Sequence, residues 1–250
     1  MQTRQEIWRQ RLIGEDIVYK RYVYQTHIQG GTEISQSTLL NIVADIPRTF
    51  SDSQLKCGDS TIKRLLVEYA SVQAGDNYLQ GFSYFMKIFC QVFHLSEHAE
   101  ADTFWCFSKL VGIIRPLMPD FNCEWFAWNR KFWVNDLVKR LGKKRPLLEA
   151  ILQTEIETFS SLILVKWYML WFAQNIVFEE VIELWDFLVN VNPPKRMHAY
   201  NCIALVIIEQ AADDIVYQCG GQATAVIYKL LSLKIKNVGN LIRRLKKIKM

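Results

Sequence analysis

The sequence predicts an all-α protein, a single large domain of about ten to thirteen helices with room for two helical lobes. Three observations carry this. Nearly every long segment repeats its apolar residues at spacings of three and four, the period of a helix face. No segment alternates apolar and polar residues in the period-two pattern of a half-buried strand. Gly and Pro are scarce, 11 and 6 in 250 residues, so the chain offers few turns and no linker rich in Pro, Gly or Ser.

The helices follow in order. Ser37 to Asp45 carries Leu39, Leu40, Ile42 and Val43. In 59–73, Ile62, Leu65, Leu66, Tyr69 and Ala70 mark one face, with Asp59 as N-cap and Gly75 past the end. Phe82, Phe85, Met86, Phe89, Val92 and Phe93 define the next helix. Ser96 is placed as the cap of a helix bearing Phe104, Trp105, Phe107, Leu110 and Val111. Pro116 and Pro119 bracket a break, and a longer helix follows with Trp125, Trp128, Phe132, Leu137 and Leu141. Further helices are predicted over 158–175, 179–191, 195–212, 222–233 and 235–248, with Pro193-Pro194 as a break. Many are apolar around much of their circumference, as expected of helices buried in a large helical domain. The eight Trp mostly recur at helical spacing and are assigned to the core.

Half of the residues are apolar and the net charge is +5, but the charge is unevenly placed. Asp214 is the last acidic residue. Eight of the 30 Lys/Arg lie beyond it, which leaves 22 against 25 acidic residues in 1–214. The basic character therefore belongs to the C-terminal end. With little aromatic interleaving beyond Tyr228, that end does not suggest a nucleic-acid surface. Two readings remain for 235–250: a terminal helix docked on its domain, or an amphipathic helix making peripheral membrane contact with its cations at anionic lipid. The six Cys form no CxxC pair, and the chain starts Met-Gln-Thr-Arg-Gln-Glu with no signal-peptide pattern. A cytoplasmic protein with reduced thiols is expected. The longest apolar stretch, 162–172, is broken by Lys166 and is too short to span a bilayer.

Two polar segments stand out in this helical pattern. In Ile42-Val43-Ala44-Asp45-Ile46-Pro47-Arg48-Thr49, Pro47 is expected to drive Ile46 out of the α region and end the helix. Arg48 then projects just past a helix terminus, and Asp45 is within reach to orient its guanidinium. In Tyr78-Leu79-Gln80-Gly81, a compact turn precedes an apolar helix. Asn77 is expected to take a left-handed conformation, Tyr78 to pack inward as an anchor, and Gln80 to present its amide at the helix start. Taken singly, the first segment also reads as a C-terminal cation with a local ion pair, and the second as an ordinary turn.

Together, 32 residues apart from Arg48 to Gln80, the segments fit the patterns IxxDxxRT and YxQG and resemble the TBC domain, a family of activators of Rab-type small GTPases. Three other stretches resemble the same family: Arg4-Gln5-Glu6-Ile7-Trp8 followed by Leu12-Ile13-Gly14; Lys166-Trp167-Tyr168-Met169-Leu170-Trp171-Phe172-Ala173; and Ile182-Glu183-Leu184-Trp185-Asp186. The resemblance spans roughly 4–190. It implies one TBC-like domain over 1–250, with both motifs in an N-terminal lobe of about 1–115 and a C-terminal lobe of about 116–250. It further implies an activator and not an enzyme in its own right. Arg48 would act as an arginine finger and Gln80 as a glutamine finger, in trans, on a Rab-family small GTPase in its GTP-bound form. Asp45 would orient Arg48, while Thr49, Tyr78 and Gly81 would shape the groove. No cofactor of its own is implied, since GTP and Mg²⁺ belong to the partner. The chain has no phosphate-binding GxxxxGK[ST] loop. Vesicle trafficking, and a cytoplasmic position peripheral on endomembranes, follow from the same resemblance. The alternative is a non-catalytic adaptor on the same fold.

The chain departs from the family pattern in three places. The Gly-Ile-Pro before the opening element is missing, Asn77 stands where Gly is frequent, and Asn190-Val191-Asn192-Pro193-Pro194 replaces the usual Glu-Gly. None removes a finger residue. One competing pattern is set aside. His94-Leu95-Ser96-Glu97-His98 has the HxxEH spacing of a zinc site, but it is expected to cross a helix boundary, and no third ligand or metal is expected.

Overall fold

The computed structural model describes residues 2–30, 33–50, 55–73, 78–115, 134–235 and 237–247. Among these the fold is helical throughout, and the one strand-like feature is an isolated bridge between Ile176 and Ile235. The chain divides into two compact units, Met1–Ile113 and Ile114–Met250.

The first unit opens with α1 (Arg4–Leu12), whose start is fixed by a reciprocal capping box between Thr3 and Glu6. The helix α2 (Ile17–Val23) runs into a π-helical turn, Tyr24–Ile28. Next come α3 (Gln36–Asp45), α4 (Asp59–Val72), α5 (Phe82–Phe93) and α6 (Ala99–Ile114). Ten of the twelve residues of α5 are buried, which makes it the central helix of the unit. Its Phe82 meets Tyr69 and Phe107 edge-on, and its Phe89 meets Trp8 in the same way.

Two buried carboxylates tie these helices together. Asp102, fully buried, accepts bonds from Arg9 (2.8 Å), Arg21 (2.8 and 2.9 Å) and Ser96 (2.9 Å), joining α1, α2 and α6. Burial pushes its carboxyl up, but the bonds from Arg21, Arg9 and Ser96 more than offset this and hold it below the ordinary value. Glu68 accepts from Tyr24 (2.7 Å) and Arg64 (2.9 Å), and Arg64 also pairs with Glu100.

In the second unit, α7 covers 134–142 and α8 is Pro146–Thr154. A short α9 (Ile156–Thr158) passes through a π-helix, Phe159–Leu164, into α10 (Val165–Met169). Then follow α11 (Phe178–Val189), α12 (Arg196–Cys219), α13 (Ala223–Leu231) and α14 (Val238–Leu245). Trp171 and Trp185 are fully buried and pack edge-on at 5.4 Å, with Trp185 Nε1 donating to the Trp171 carbonyl at 3.2 Å.

Several expected boundaries move. The helix predicted over 158–175 is not continuous: Trp171 and Phe172 take positive φ of 45° and 62° and turn the chain. Such a conformation costs about 1–3 kcal/mol per residue and persists only where packing over-determines it. Here both side chains are fully buried. The helix predicted over 195–212 runs on to Cys219 and stops at Gly220 and Gly221, both with positive φ. The last helix starts at Val238 and not at 235, because Ile235 N donates to the Asn175 carbonyl and Asn237 caps the helix. Ser96 lies one turn before α6, its hydroxyl engaged by Asp102. The cap of α4 is Gly58, and Asp59 is its first residue. Asn77, Gly75, Trp125, Trp128 and Phe132 lie outside the described residues. Of the two readings of the tail, docking agrees with the structure, since Val238, Leu241 and Leu245 are fully buried.

Two expected outcomes follow for the fold. Trp185→Ala should destabilise the protein by about 3–5 kcal/mol, read from urea unfolding. For Asp102 the folded carboxyl lies below its ordinary value of 3.8. Its contribution is therefore full above that value and is lost as the pH falls from it through the folded value. Asp102→Asn should lower the urea midpoint at neutral pH, and its gap to wild type should shrink on acidification below 3.8.

Candidate functional site

The C-terminal end of α3 leaves carbonyl oxygens without helical partners, and side chains satisfy them in turn. Pro47 does not end the helix by expelling Ile46, as expected. Ile46 stays in the right-handed region (φ −55°, ψ −52°), and Ile46–Arg48 tightens into a 3-10 turn that closes at the extended Thr49. Arg48 Nε donates to the Ala44 carbonyl at 2.7 Å. Thr49 Oγ1 lies 2.9 Å from the Asp45 carbonyl and 2.6 Å from Ser83 Oγ. Lys87 Nζ donates to the carbonyls of Ile46 (2.8 Å) and Thr49 (2.9 Å).

The glutamine segment is held from the same helix end. Asp45 is buried, 5% exposed, and its Oδ2 accepts three bonds: Tyr78 O–H at 2.6 Å, Gly81 N–H at 2.8 Å and Ser83 O–H at 2.8 Å. Tyr78 packs inward, as expected, edge-on to Phe82. Burial and the bond to Asp45 push its phenol well above the ordinary value, so it remains a donor. Gly81 caps α5 with φ 102°, a left-handed conformation that a side chain would strain. It supplies the turn that brings its own N–H onto Asp45.

Arg48 and Gln80 are both exposed. Apart from the Arg48 Nε bond to Ala44, neither side chain has a hydrogen-bond or ionic partner among the described residues. The two terminal nitrogens of the guanidinium and the whole Gln80 amide are thus available to an outside group. The expected contact between Asp45 and Arg48 is not made. The Asp45 carboxylate is committed to the glutamine turn, and a backbone carbonyl takes its place in orienting Arg48. The structure therefore couples Asp45, Thr49, Tyr78 and Gly81 as a buried base, with Arg48 and Gln80 above it.

Ser83 and Lys87 complete the base and were not singled out in the sequence. They face the α3 turn one helical turn apart, 0% and 3% exposed. A signal was present: a Lys four residues after a Ser, on the face of a helix whose other buried residues are Phe, Met, Ile, Cys and Val, has to find partners inside. His94 ends α5 and His98 precedes α6, so the HxxEH spacing crosses a helix boundary.

An all-helical fold in which a buried carboxylate at the helix end bearing an arginine turn fastens a glutamine turn beside it belongs to a definable class. A model of the Rab-GTPase-TBC domain matches residues 1–216, and the chain belongs to that family. TBC1 domain family member 17 of Homo sapiens is 24% identical over 174 residues, covering 68% of this chain and 25% of that protein. TBC1 domain family member 13 of Mus musculus is 27% identical over 137 residues, covering 51% of this chain and 33% of that protein. The chain thus spans a quarter to a third of the length of these curated relatives. The crystal structure of the Ypt/Rab-GAP domain of Gyp1p is similar in fold, with a TM-score of 0.73 at 17% identity, over 97% of this chain and 85% of that one.

The two layers of the site should separate in stability measurements. Asp45→Ala strands three buried donors and should cost roughly 2–4 kcal/mol. Arg48→Ala loses one exposed capping bond and should cost about 0.5–1 kcal/mol. A urea midpoint that falls as far for Arg48→Ala as for Asp45→Ala would contradict the assignment of Arg48 to the outer layer.

Proposed function

We propose that this chain activates a Rab-family small GTPase in its GTP-bound form, with Arg48 and Gln80 acting in trans as arginine and glutamine fingers. The observation that carries this is the presence of two exposed side chains, one on the turn that ends α3 and one on the turn that the buried Asp45 of α3 holds through its carboxylate, in a chain of the Rab-GTPase-TBC family. Hydrolysis of GTP spreads negative charge over the transferring phosphoryl oxygens. A guanidinium held at that charge is worth about 10³–10⁵ in rate, which corresponds to roughly 4–7 kcal/mol of barrier. The amide of Gln80 can accept from and donate to the attacking water and hold it in line. Thr49, Tyr78 and Gly81 act through placement, and Asp45 acts by fixing the glutamine turn. The nucleotide and Mg²⁺ reside on the GTPase, so the chain supplies groups and no cofactor. A cytoplasmic setting, peripheral on the membranes of vesicle trafficking, belongs to the same reading.

Single-turnover GTP hydrolysis across a panel of Rab-type GTPases tests it. Wild type should accelerate at least one of them. Arg48→Ala should remove about 10³-fold or more of that gain, and Arg48→Lys should not restore it, because a point charge does not reproduce the planar fork. Gln80→Ala should remove about 10²–10³-fold. Binding to a GTPase with no acceleration, unchanged in Arg48→Ala, would instead make the chain an adaptor.

A further inference from the structure

The second unit carries a charged cleft that neither finger uses. It has a volume of about 450 Å³ and lies between the end of α7, the middle of α12 and the end of α14. Leu205 and Val206 of α12 form an apolar floor. Around it stand five cations: Arg140, Lys143, Lys144, Arg244 and Lys247. Among the described residues the one acid in the lining is Glu209, 10% exposed, which pairs with Lys144 through Oε1 (3.1 Å) and with Arg244 through Oε2 (2.7 Å). Arg140 is also paired, with Asp136 at 2.9 Å. Five cations against these two acids leave a net charge of +3.

Glu209 cannot neutralise the cleft. It draws cations from two elements to one place and is itself almost withdrawn from solvent, while Lys144 and Arg244 keep 67% and 35% of their side chains exposed. Lys143 and Lys247 are exposed, and their side chains have no hydrogen-bond or ionic partner among the described residues. An excess of positive charge over a small apolar floor matches a compact ligand with several phosphates on an apolar ring. Among the described residues no aromatic side chain lines the cleft on which a nucleobase could stack.

We propose that this cleft binds the polyphosphorylated headgroup of a membrane lipid. The lipid source, over a soluble polyphosphate, is favoured by the charge around the cleft. No acidic residue follows Asp214, and Arg243 and Lys246 of the same terminal segment are exposed. A soluble ligand would need the cleft alone, whereas an anionic surface also engages its basic surround. The contact is made by charge and not by insertion, since the apolar face of α14 is already buried in its own unit. Arg244 and Lys247 lie beyond residues 1–216 matched by the family model, so the cleft is assembled partly outside the shared region.

Co-sedimentation with vesicles tests this. The vesicles are phosphatidylcholine alone, phosphatidylcholine with about 20% phosphatidylserine, and phosphatidylcholine with about 5% phosphatidylinositol 4,5-bisphosphate, the last two being similar in total charge. Wild type should bind the bisphosphate vesicles at least about tenfold more tightly than the serine ones. The double variant Lys143→Ala/Lys247→Ala alters two exposed side chains outside any ion pair, so it should unfold in urea like wild type. It should bind the bisphosphate vesicles roughly thirtyfold more weakly. Equal binding to both charged vesicles would reduce the cleft to general electrostatics and overturn the proposal. Tight binding of soluble inositol hexakisphosphate, with none to vesicles, would overturn the lipid source. Binding unchanged in the folded double variant would overturn the site, and stronger competition by short duplex DNA than by inositol hexakisphosphate would assign the cleft to nucleic acid.

Discussion

The site depends on one buried carboxylate. Asp45 sits at the last turn of α3, nearly withdrawn from water, where a polar group without partners would be costly. It is instead solvated by three protein donors on a single oxygen: a phenol, a backbone N–H and a hydroxyl. All three come from the glutamine turn and the first residues of α5. The charge can therefore be satisfied only when that turn lies against α3, and displacing the turn would leave it without partners. Lys87 adds a second fastening, from α5 back to the 3-10 turn that bears Arg48.

The consequence is a rigid base under two mobile tips. Arg48 and Gln80 are long side chains at the surface, where rotamer freedom would normally blur their position. Their backbones, however, are held by buried bonds on both sides of the α3–α5 junction. Arg48 loses further freedom through its Nε bond to the end of α3. Ordering a reacting group in advance, on a supported backbone, is what makes positioning effective in rate terms.

Much of this was legible in the sequence, and the reasons differ by residue. The apolar faces of α4 and α5 are strongly periodic, so their buried residues could be assigned from spacing alone. Arg48 and Gln80 stood out only together: each segment alone also reads as a helix-terminal cation or an ordinary turn, and it is their combination that resembles the family's motifs. The Gly220-Gly221 stop was written in the chain, and the helix it ends runs seven residues beyond the end predicted at 212. The turn at Trp171 and Phe172 was not legible: no Gly or Pro marks it, and tertiary packing alone holds two aromatic residues at positive φ. Ser83 and Lys87 were hidden in a helix whose apolar pattern absorbed them. The partner of Asp45 was misassigned because sequence proximity favours Arg48, three residues on. The donors that claim the carboxylate are more than thirty residues away.

That misassignment has a physical logic. A carboxylate paired directly with Arg48 would orient the guanidinium but would also oppose its charge at about 4 Å, which would weaken any attraction the guanidinium offers to an outside anion. The structure divides the two tasks. Orientation comes from the Ala44 carbonyl, a dipole without net charge, which binds only Nε and leaves both terminal nitrogens outward. The carboxylate is kept below, its charge absorbed by three donors, and used to hold the glutamine turn. A helix C-terminus is well suited to this, because it presents unpaired carbonyls that favour a cation. Arg48 thus has its direction set by the backbone that precedes it, with no carboxylate opposing its charge.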